Sequence, residues 1–453
     1  MTKSVTVYTC NSCYAIHPTW AGKCSKCGEW NSLSETDKAD VKFMTPTSAG
    51  QMKKPISISQ FKEVKDKHIQ TLIPEFDRLL GKGFVKGSVN LLGGEPGIGK
   101  STLSLQIAKS FAMQGYKVLY VSGEESANQL YGRAKRLDAI YDSLYLLTET
   151  NLLTILHSLK NLAPDILIMD SIQVVFHPSI QGVAGSVNQV RYCASELTTY
   201  LKDKNCIGVL IGHVTKEGYL AGPKVLEHMV DVIMYFEGDK DQKYRILRSF
   251  KNRYHSTQDI GFFEMTQTGL KDVPNPSSVF VDMNLGDNSG SAIAVICDGA
   301  RPILLEVQAL VVDTGYGMAK RTFLGVDPLR ANLMVATLEK QLRLRLANKD
   351  IILNIIGGMK VKEPALDLAM IAAILSSYYE KPIPPKTVCF GEVGLTGEVR
   401  QVSNTLERIK EASKFEFSSV FLPEKRDIRE EINGQLSLNY VKNISDFNQF
   451  FVD

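Results

Sequence analysis

The stretch from residue 89 to residue 114 constrains this chain more than any other. An apolar run, Val89-Asn90-Leu91-Leu92, leads into Gly94-Glu95-Pro96-Gly97-Ile98-Gly99-Lys100-Ser101-Thr102, and helical patterning follows. Strand, glycine-rich loop ending in Lys-Ser, then helix is the P-loop pattern in the context it requires. The glycines let backbone N–H groups wrap phosphates at a helix N-terminus, and Lys100 can reach the β- and γ-oxygens of ATP. Ser101 stands where Mg2+ is held. The surrounding sequence agrees with such a loop. Apolar runs at 89–92, 118–121, 166–169, 207–211 and 232–236 alternate with helical patterning at 101–114, 151–162 and 188–202. That alternation predicts a mostly parallel α/β sheet.

Two acidic positions fall where P-loop chemistry needs them. Asp170 ends the run 166–169, where a carboxylate orients Mg2+; the competing reading is a turn residue. Glu124 and Glu125 follow the run 118–121, where a glutamate can polarise the attacking water. Their competing reading is an acidic pair at a helix start capped by Ser122 or Ser126. Glu124 is the favoured base.

Four of the eight cysteines crowd into the first 27 residues, as Cys10-x2-Cys13 and Cys24-x2-Cys27. Two thiolate pairs on tight turns supply four soft ligands to one Zn2+, and a redox role for either pair is the rival. Gly28 suits the turn after the second pair, while Tyr14 lacks that freedom after the first. Cys193, Cys206, Cys297 and Cys389 stand singly in apolar surroundings and read as small core residues.

At 453 residues the chain is long enough for two or three domains of roughly 100–200 residues each. Residues 1–30 read as a C4 zinc finger too poor in apolar side chains to fold without its metal. Residues 31–60, polar and carrying Pro46 and Pro55, read as a linker, and 61–275 as the ATPase domain. Pro274-Asn275-Pro276 marks a boundary to a second α+β domain over 276–453. It has strand-like runs at 292–297, 303–312, 351–356, 388–390 and 420–422 and helical stretches at 328–346 and 364–377. With 44% apolar and 22% charged residues, disordered and fibrous classes are excluded. The longest apolar run, 368–375, is far too short to span a bilayer, and residues 1–7 hold no secretory h-region. A cytoplasmic protein without a membrane partner is expected. The charge balance, 52 − 49 = +3, is too mild to announce a nucleic-acid partner, so any basic surface must be local.

Several further segments carry a resemblance. Val121-Ser122-Gly123-Glu124-Glu125-Ser126, Asp170-Ser171-Ile172-Gln173 and Gly212-His213-Val214-Thr215-Lys216-Glu217-Gly218 join the zinc segment and the P-loop. So do Ala221-Gly222-Pro223-Lys224-Val225-Leu226-Glu227-His228 and Gly391-Glu392-Val393-Gly394-Leu395-Thr396-Gly397-Glu398-Val399-Arg400. Together, over nearly the whole chain, they resemble the bacterial RadA (Sms) family of DNA repair and recombination ATPases. The resemblance implies a RecA-like motor in a homohexameric ring similar to DnaB helicases. Such a ring would drive branch migration on single-stranded and branched DNA beside a RecA-type recombinase.

The family's Lys-Asn-Arg-Phe-Gly motif stands here as Lys251-Asn252-Arg253-Tyr254-His255, both cations kept and the last two positions changed. Lys251 and Arg253 are expected to complete the ATP site of a neighbouring subunit. His213 is expected to sense the γ-phosphate from a strand end. Residues 177–191, with Arg191, and 215–224, with Lys216 and Lys224, are expected to face the channel and hold the DNA backbone.

The C-terminal part resembles the proteolytic domain of Lon, whose Ser–Lys pair is absent. Glu363-Pro364-Ala365-Leu366-Asp367 stands at the serine and Asn404-Thr405-Leu406-Glu407-Arg408 at the lysine, so a structural and DNA-contacting platform is expected. Two other functions remain open at this stage, a DNA-binding scaffold that ATP only switches and a Lon-type peptidase. The missing pair opposes the second.

Overall fold

The computed structural model describes residues 6–10, 16–37, 57, 68–213, 225–238, 243–281, 288–315, 318–424 and 436–452. Cys13, Lys216 and Lys224, and the 215–224 loop that carries the two lysines, lie outside the described residues. The chain forms two compact units, Met1–Lys65 and Asp66–Asp453.

In the first unit, β1 (Thr6–Cys10) pairs antiparallel with β2 (Ile16–His17) and with β3 (Leu33–Asp37). The linker expected at 31–60 therefore yields its first residues to this small sheet. Leu-Ser-Glu-Thr-Asp is polar enough to read as loop, and it becomes a strand because β1 presents it a free edge.

The second unit opens with a small pair, β4 (His68–Ile69) and β5 (Phe84–Val85). Its main sheet holds β6 (Val89–Gly94), β7 (Val118–Ser122), β8 (Leu144–Thr148), β9 (Ile166–Asp170), β10 (Ile207–His213) and β11 (Val232–Glu237), all parallel where they pair. A meander of β12 (Tyr244–Asn252), β13 (Ile260–Thr266) and β14 (Gly269–Asp272) then runs antiparallel along one side. The order is β14-β13-β12-β11-β6-β10-β9-β7-β8. Ile166 and Ile168 of β9 enter one core with the helix Lys100–Met113, while Leu167 and Met169 enter another with the helices Leu152–Leu162 and Val187–Asp203. A strand buried on both faces needs apolar side chains at every position, hence the unbroken runs in the sequence. Helix starts are local: Asn151 accepts from the Leu153 N–H at 3.0 Å, and Ser126 forms a capping box with Gln129.

Beyond residue 276 a mixed sheet collects β15 (Ser291–Asp298), β16 (Arg301–Asp313), β17 (Arg321–Leu324), β18 (Lys349–Ile355), β19 (Thr387–Cys389), β22 (Ser419–Leu422) and β23 (Ser437–Tyr440). The short pair β20 (Glu392–Val393) and β21 (Val399–Arg400) stands apart. Helices Pro328–Leu342 and Asp367–Tyr378 cover one face and Thr405–Lys414 the other. The Pro274-Asn275-Pro276 segment separates two sheets but not two cores. Ile260, Phe262 and Val273 share one buried cluster with Phe280, Ala292 and Ile303.

Candidate active site

Sheet topology gathers the P-loop, Asp170, Glu124 and His213 on one edge. In parallel pairing, His213 stands beside Gly94, and Ser122 stands beside Asp170, so β6, β7, β9 and β10 all end at the same edge. The loop leaves β6 in the middle of the sheet and turns through Gly97 (φ +81°) and Gly99 (φ +120°), angles that side chains resist. Lys100 is buried, and its Nζ donates to the carbonyls of Gly94 and Glu95, each at 2.8 Å. Ser101 and Thr102 open the helix beside it. Arg245 of β12, also buried, donates from Nε to the Ile98 carbonyl at 3.1 Å and braces the loop from below. An arginine in a strand far from the loop gave no signal for this in the sequence.

Asp170 is buried and accepts from the Tyr120 hydroxyl at 2.7 Å. Burial and that carboxylate push the Tyr120 phenol well above its ordinary range, so it remains a donor. The two glutamates separate cleanly. Glu125 pairs with Arg133 at 2.6 Å, and its N–H is caught by the Ser122 hydroxyl at 3.1 Å. Glu124 instead faces the sheet edge, where its Oε1 accepts from Ser171 Oγ at 2.5 Å and from His213 Nε2 at 2.9 Å. The hydrogen bond from His213, seconded by Ser171 and the Lys100 charge, holds the Glu124 carboxyl down at about 2 despite partial burial. Ser171 had no role in the sequence reading; only its place next to Asp170 pointed to it.

Arg191 lies exposed in the second turn of its helix. Buried Gln189 orders the preceding loop, accepting from the His177 N–H at 2.9 Å and donating to the Ile180 carbonyl at 2.8 Å.

Lys251 and Arg253 are not brought to this edge. Lys251 pairs with Ile233 and Asn252 with Val232, which in turn pair with Leu91 and Asn90, so both cations sit toward the start of β6, about 10–17 Å of strand from its P-loop end. Lys251 Nζ donates to the carbonyls of Glu227 (2.7 Å) and Val230 (2.8 Å), and burial with the Arg253 charge lowers its pKa. Arg253 pairs at 3.0 Å with buried Asp231, which also accepts from Lys202 and from the Val89 N–H. The changed end of the motif turns without glycine. Asn252 Oδ1 accepts from the N–H groups of Tyr254 and His255, and the His255 ring lies directly over Gly81.

In the first unit the sulfurs of Cys10, Cys24 and Cys27 lie within 4.8 Å of one another. The Cys27 backbone N–H, with those of Lys26 and the His17 ring, holds the Cys24 thiol down at about 5. Gly28 takes φ +78° at the second knuckle. Three clustered sulfurs at this spacing, the Cys24 thiol acidified among them, suit Zn2+. In the C-terminal part, Glu363 and fully buried Arg408 form an ion pair, and Ala365 carries no nucleophile.

Comparison with known proteins gives three family matches. Residues 69–275 match the KaiC ATPase family, residues 8–35 a rubredoxin metal-binding (zinc ribbon) domain, and residues 331–426 the ChlI subunit of Mg-chelatase. Curated relatives span nearly the full length. The DNA repair protein RadA of Streptococcus pyogenes serotype M6 is 46% identical over 424 residues, 93% of each chain. The RadA proteins of Listeria monocytogenes and Bacillus subtilis are each 43% identical, covering 94% and 93% of this chain and 93% of their own.

Proposed function

The chain belongs to the DNA repair protein RadA family, and on that premise we propose that it is a DNA-dependent motor ATPase acting on recombination intermediates. The family and the ATPase domain carry ATP and Mg2+ as cofactors, and the zinc ribbon carries Zn2+. None of the described helices is long and apolar enough to cross a membrane.

In this reading Lys100 and the loop N–H groups bind the β- and γ-phosphates, and Ser101 and Asp170 hold Mg2+. The metal supplies charge neutralisation at the phosphates. Glu124 acts on the attacking water. A carboxylate held so low is a weak base, so it orients the water and takes the proton late, which suits a loose phosphoryl-transfer transition state. His213 bonds to Glu124 and stands two residues before segment 215–224, to which this reading gives DNA contact, and so reports the state of the phosphates. Arg191, Lys216 and Lys224 contribute sequence-independent phosphate contacts. Residues 276–453 serve as a Lon-like platform without peptidase activity, a ring of six subunits is the working form, and a RecA-type recombinase is the expected partner.

The observation that carries this reading is Glu124 between Ser171 and His213 on the same sheet edge as the P-loop. Placement of Lys251 and Arg253 at the other edge favours action on a neighbour's nucleotide. One experiment tests both. Lys100→Ala and Arg253→Ala each should be nearly inactive with single-stranded DNA, because a cation on the transferring phosphoryl group is worth roughly 10³–10⁵ in rate. After subunit exchange, their mixture should regain activity at about one interface in four. No recovery despite exchange would sink the shared site. Turnover indifferent to DNA would favour the ATP-switched scaffold instead.

A further inference from the structure

The turn between β15 and β16, Asp298-Gly299-Ala300-Arg301, reaches back onto the nine-stranded sheet at successive residues. Arg248, within β12, donates through its two Nη groups to the two oxygens of Asp298, the Nη2 bond being 2.7 Å. The same guanidinium holds Glu237 of β11, with Nε and Nη2 each at 3.1 Å from its carboxylate. The Ala300 N–H donates to the Gln258 carbonyl at 3.0 Å. Gly299 has φ +63°, and a Cβ there would overlap that carbonyl oxygen. Arg301 donates to Glu75 Oε2 at 2.8 Å and to the Pro274 carbonyl at 2.6 Å.

These contacts bracket one segment. Arg248 precedes Lys251 on β12, Arg253 directly follows the strand, and Gln258 closes the loop after them. Between the two grips the loop is internally tied. Asn252 Oδ1 accepts from Tyr254 and His255, His255 pairs with Asp259 at 3.0 Å, and Ser256 Oγ accepts from the Gln258 N–H at 3.2 Å. Arg253 leaves this frame with its side chain half exposed and Asp231 as its anchor.

We infer that the 298–301 turn is a positioning element for Arg253, so that the C-terminal part of the chain sets the geometry of the neighbouring subunit's ATP site. The inference rests on the shared-site reading above. It makes Asp298 and Gly299 positioning residues: neither touches nucleotide, and each acts through the strand or loop that presents the arginine. A turn that only glued two sheets together would change stability and leave catalysis alone.

The test uses the full-length protein with single-stranded DNA. Asp298→Asn keeps the shape of the side chain and removes its charge, while Gly299→Ala pushes on the Gln258 carbonyl. Each should lower kcat between about tenfold and a hundredfold, the scale of a misplacement near 1 Å. Affinity for a fluorescent ATP analogue should stay within about twofold, because the variant's own P-loop is intact. Mixing sorts the variants. Asp298→Asn with Lys100→Ala should regain activity after exchange, and Asp298→Asn with Arg253→Ala should not. Should Gly299→Ala fail to fold, Asp298→Asn carries the test alone. Unchanged kcat in Asp298→Asn, or recovery with Arg253→Ala in place of Lys100→Ala, overturns the inference and leaves the shared site standing. Failure of Lys100→Ala and Arg253→Ala to restore each other removes both.

Discussion

Glu124 and Glu125 are neighbours with the same side chain, and their surroundings give them different chemistry. Glu125 is engaged by Arg133 and by the capping of its own turn, whereas Glu124 reaches Ser171 and His213. Glu124→Gln should therefore lower ATP turnover by about a hundredfold or more while nucleotide still binds, and Glu125→Gln should stay within about threefold of the parent. Loss of turnover in the second variant alone would reverse the roles. The depressed Glu124 pKa has a sign that can be followed. A carboxylate held at about 2 contributes stability that is complete above its ordinary value near 4.3 and fades only as pH falls toward 2. Glu124 is thus ionised wherever the enzyme works, and a fall in rate between pH 7 and pH 5 belongs to another group. A carbon-13 titration placing the Glu124 midpoint near 4 would contradict this.

At the scale of elements, the buried parallel strands were legible because two-sided burial writes itself as an unbroken apolar run, and Asn151 and Ser126 marked helix starts by their capping chemistry. What escaped was strand made by partners and not by composition. β3 is polar and exists through its pairing with β1, and β12 runs from Tyr244 to Asn252 although Arg245, Arg248 and Lys251 interrupt its apolar pattern. The P-loop and Asp170 could be read from spacing; Ser171, Tyr120 and Asp231 could not, since each acquires its meaning from a residue distant in sequence. The Glu363–Arg408 pair is such a case in the C-terminal sheet. Arg408, on the helix Thr405–Lys414, is fully buried, donates to the Val295 carbonyl at 2.7 Å and lies over the Phe390 ring. Glu363 also accepts from the Cys297 N–H at 2.6 Å, which locks the turn before the helix Asp367–Tyr378. Arg408→Ala removes a fully buried side chain and leaves half-buried Glu363 holding the Cys297 N–H without its ion-pair partner, so it should cost about 2–4 kcal/mol. Urea unfolding measures it, and a cost under about 1 kcal/mol would mean the pair is solvated in solution.

For the second unit as a whole, the decisive feature is that its two sheets share a core and an ionic joint, so residues 68–452 should unfold together. At the joint Glu75 is buried, and its Oε2 accepts from Arg78 at 2.8 Å, from Arg301 at 2.8 Å and from the Phe262 N–H at 2.9 Å. Asp272, at the end of β14, accepts from the Glu75 N–H at 3.4 Å. Burial, with the Glu75 and Asp77 charges beside it, pushes the Asp272 carboxyl up to about 6, against the smaller pull of Arg78. A raised carboxyl works against the fold once it ionises. The penalty is absent below the ordinary value near 3.9, where the group is protonated in both states, grows as pH rises through 4 to 6, and is complete above 6. Asp272→Asn keeps the hydrogen-bond acceptor and removes that charge. Because the side chain is only half buried and solvent screens it, the gain at pH 7.5 should be about 1 kcal/mol, or roughly 1 °C in a single melting transition. At pH 4.5 the gain should fall to about a third of that. Equal gains at both pH values would mean that Asp272 is stabilised by shape and not by charge. Two separate transitions at pH 7.5 would mean that the joint and the shared core do not bind the sheets into one folding unit.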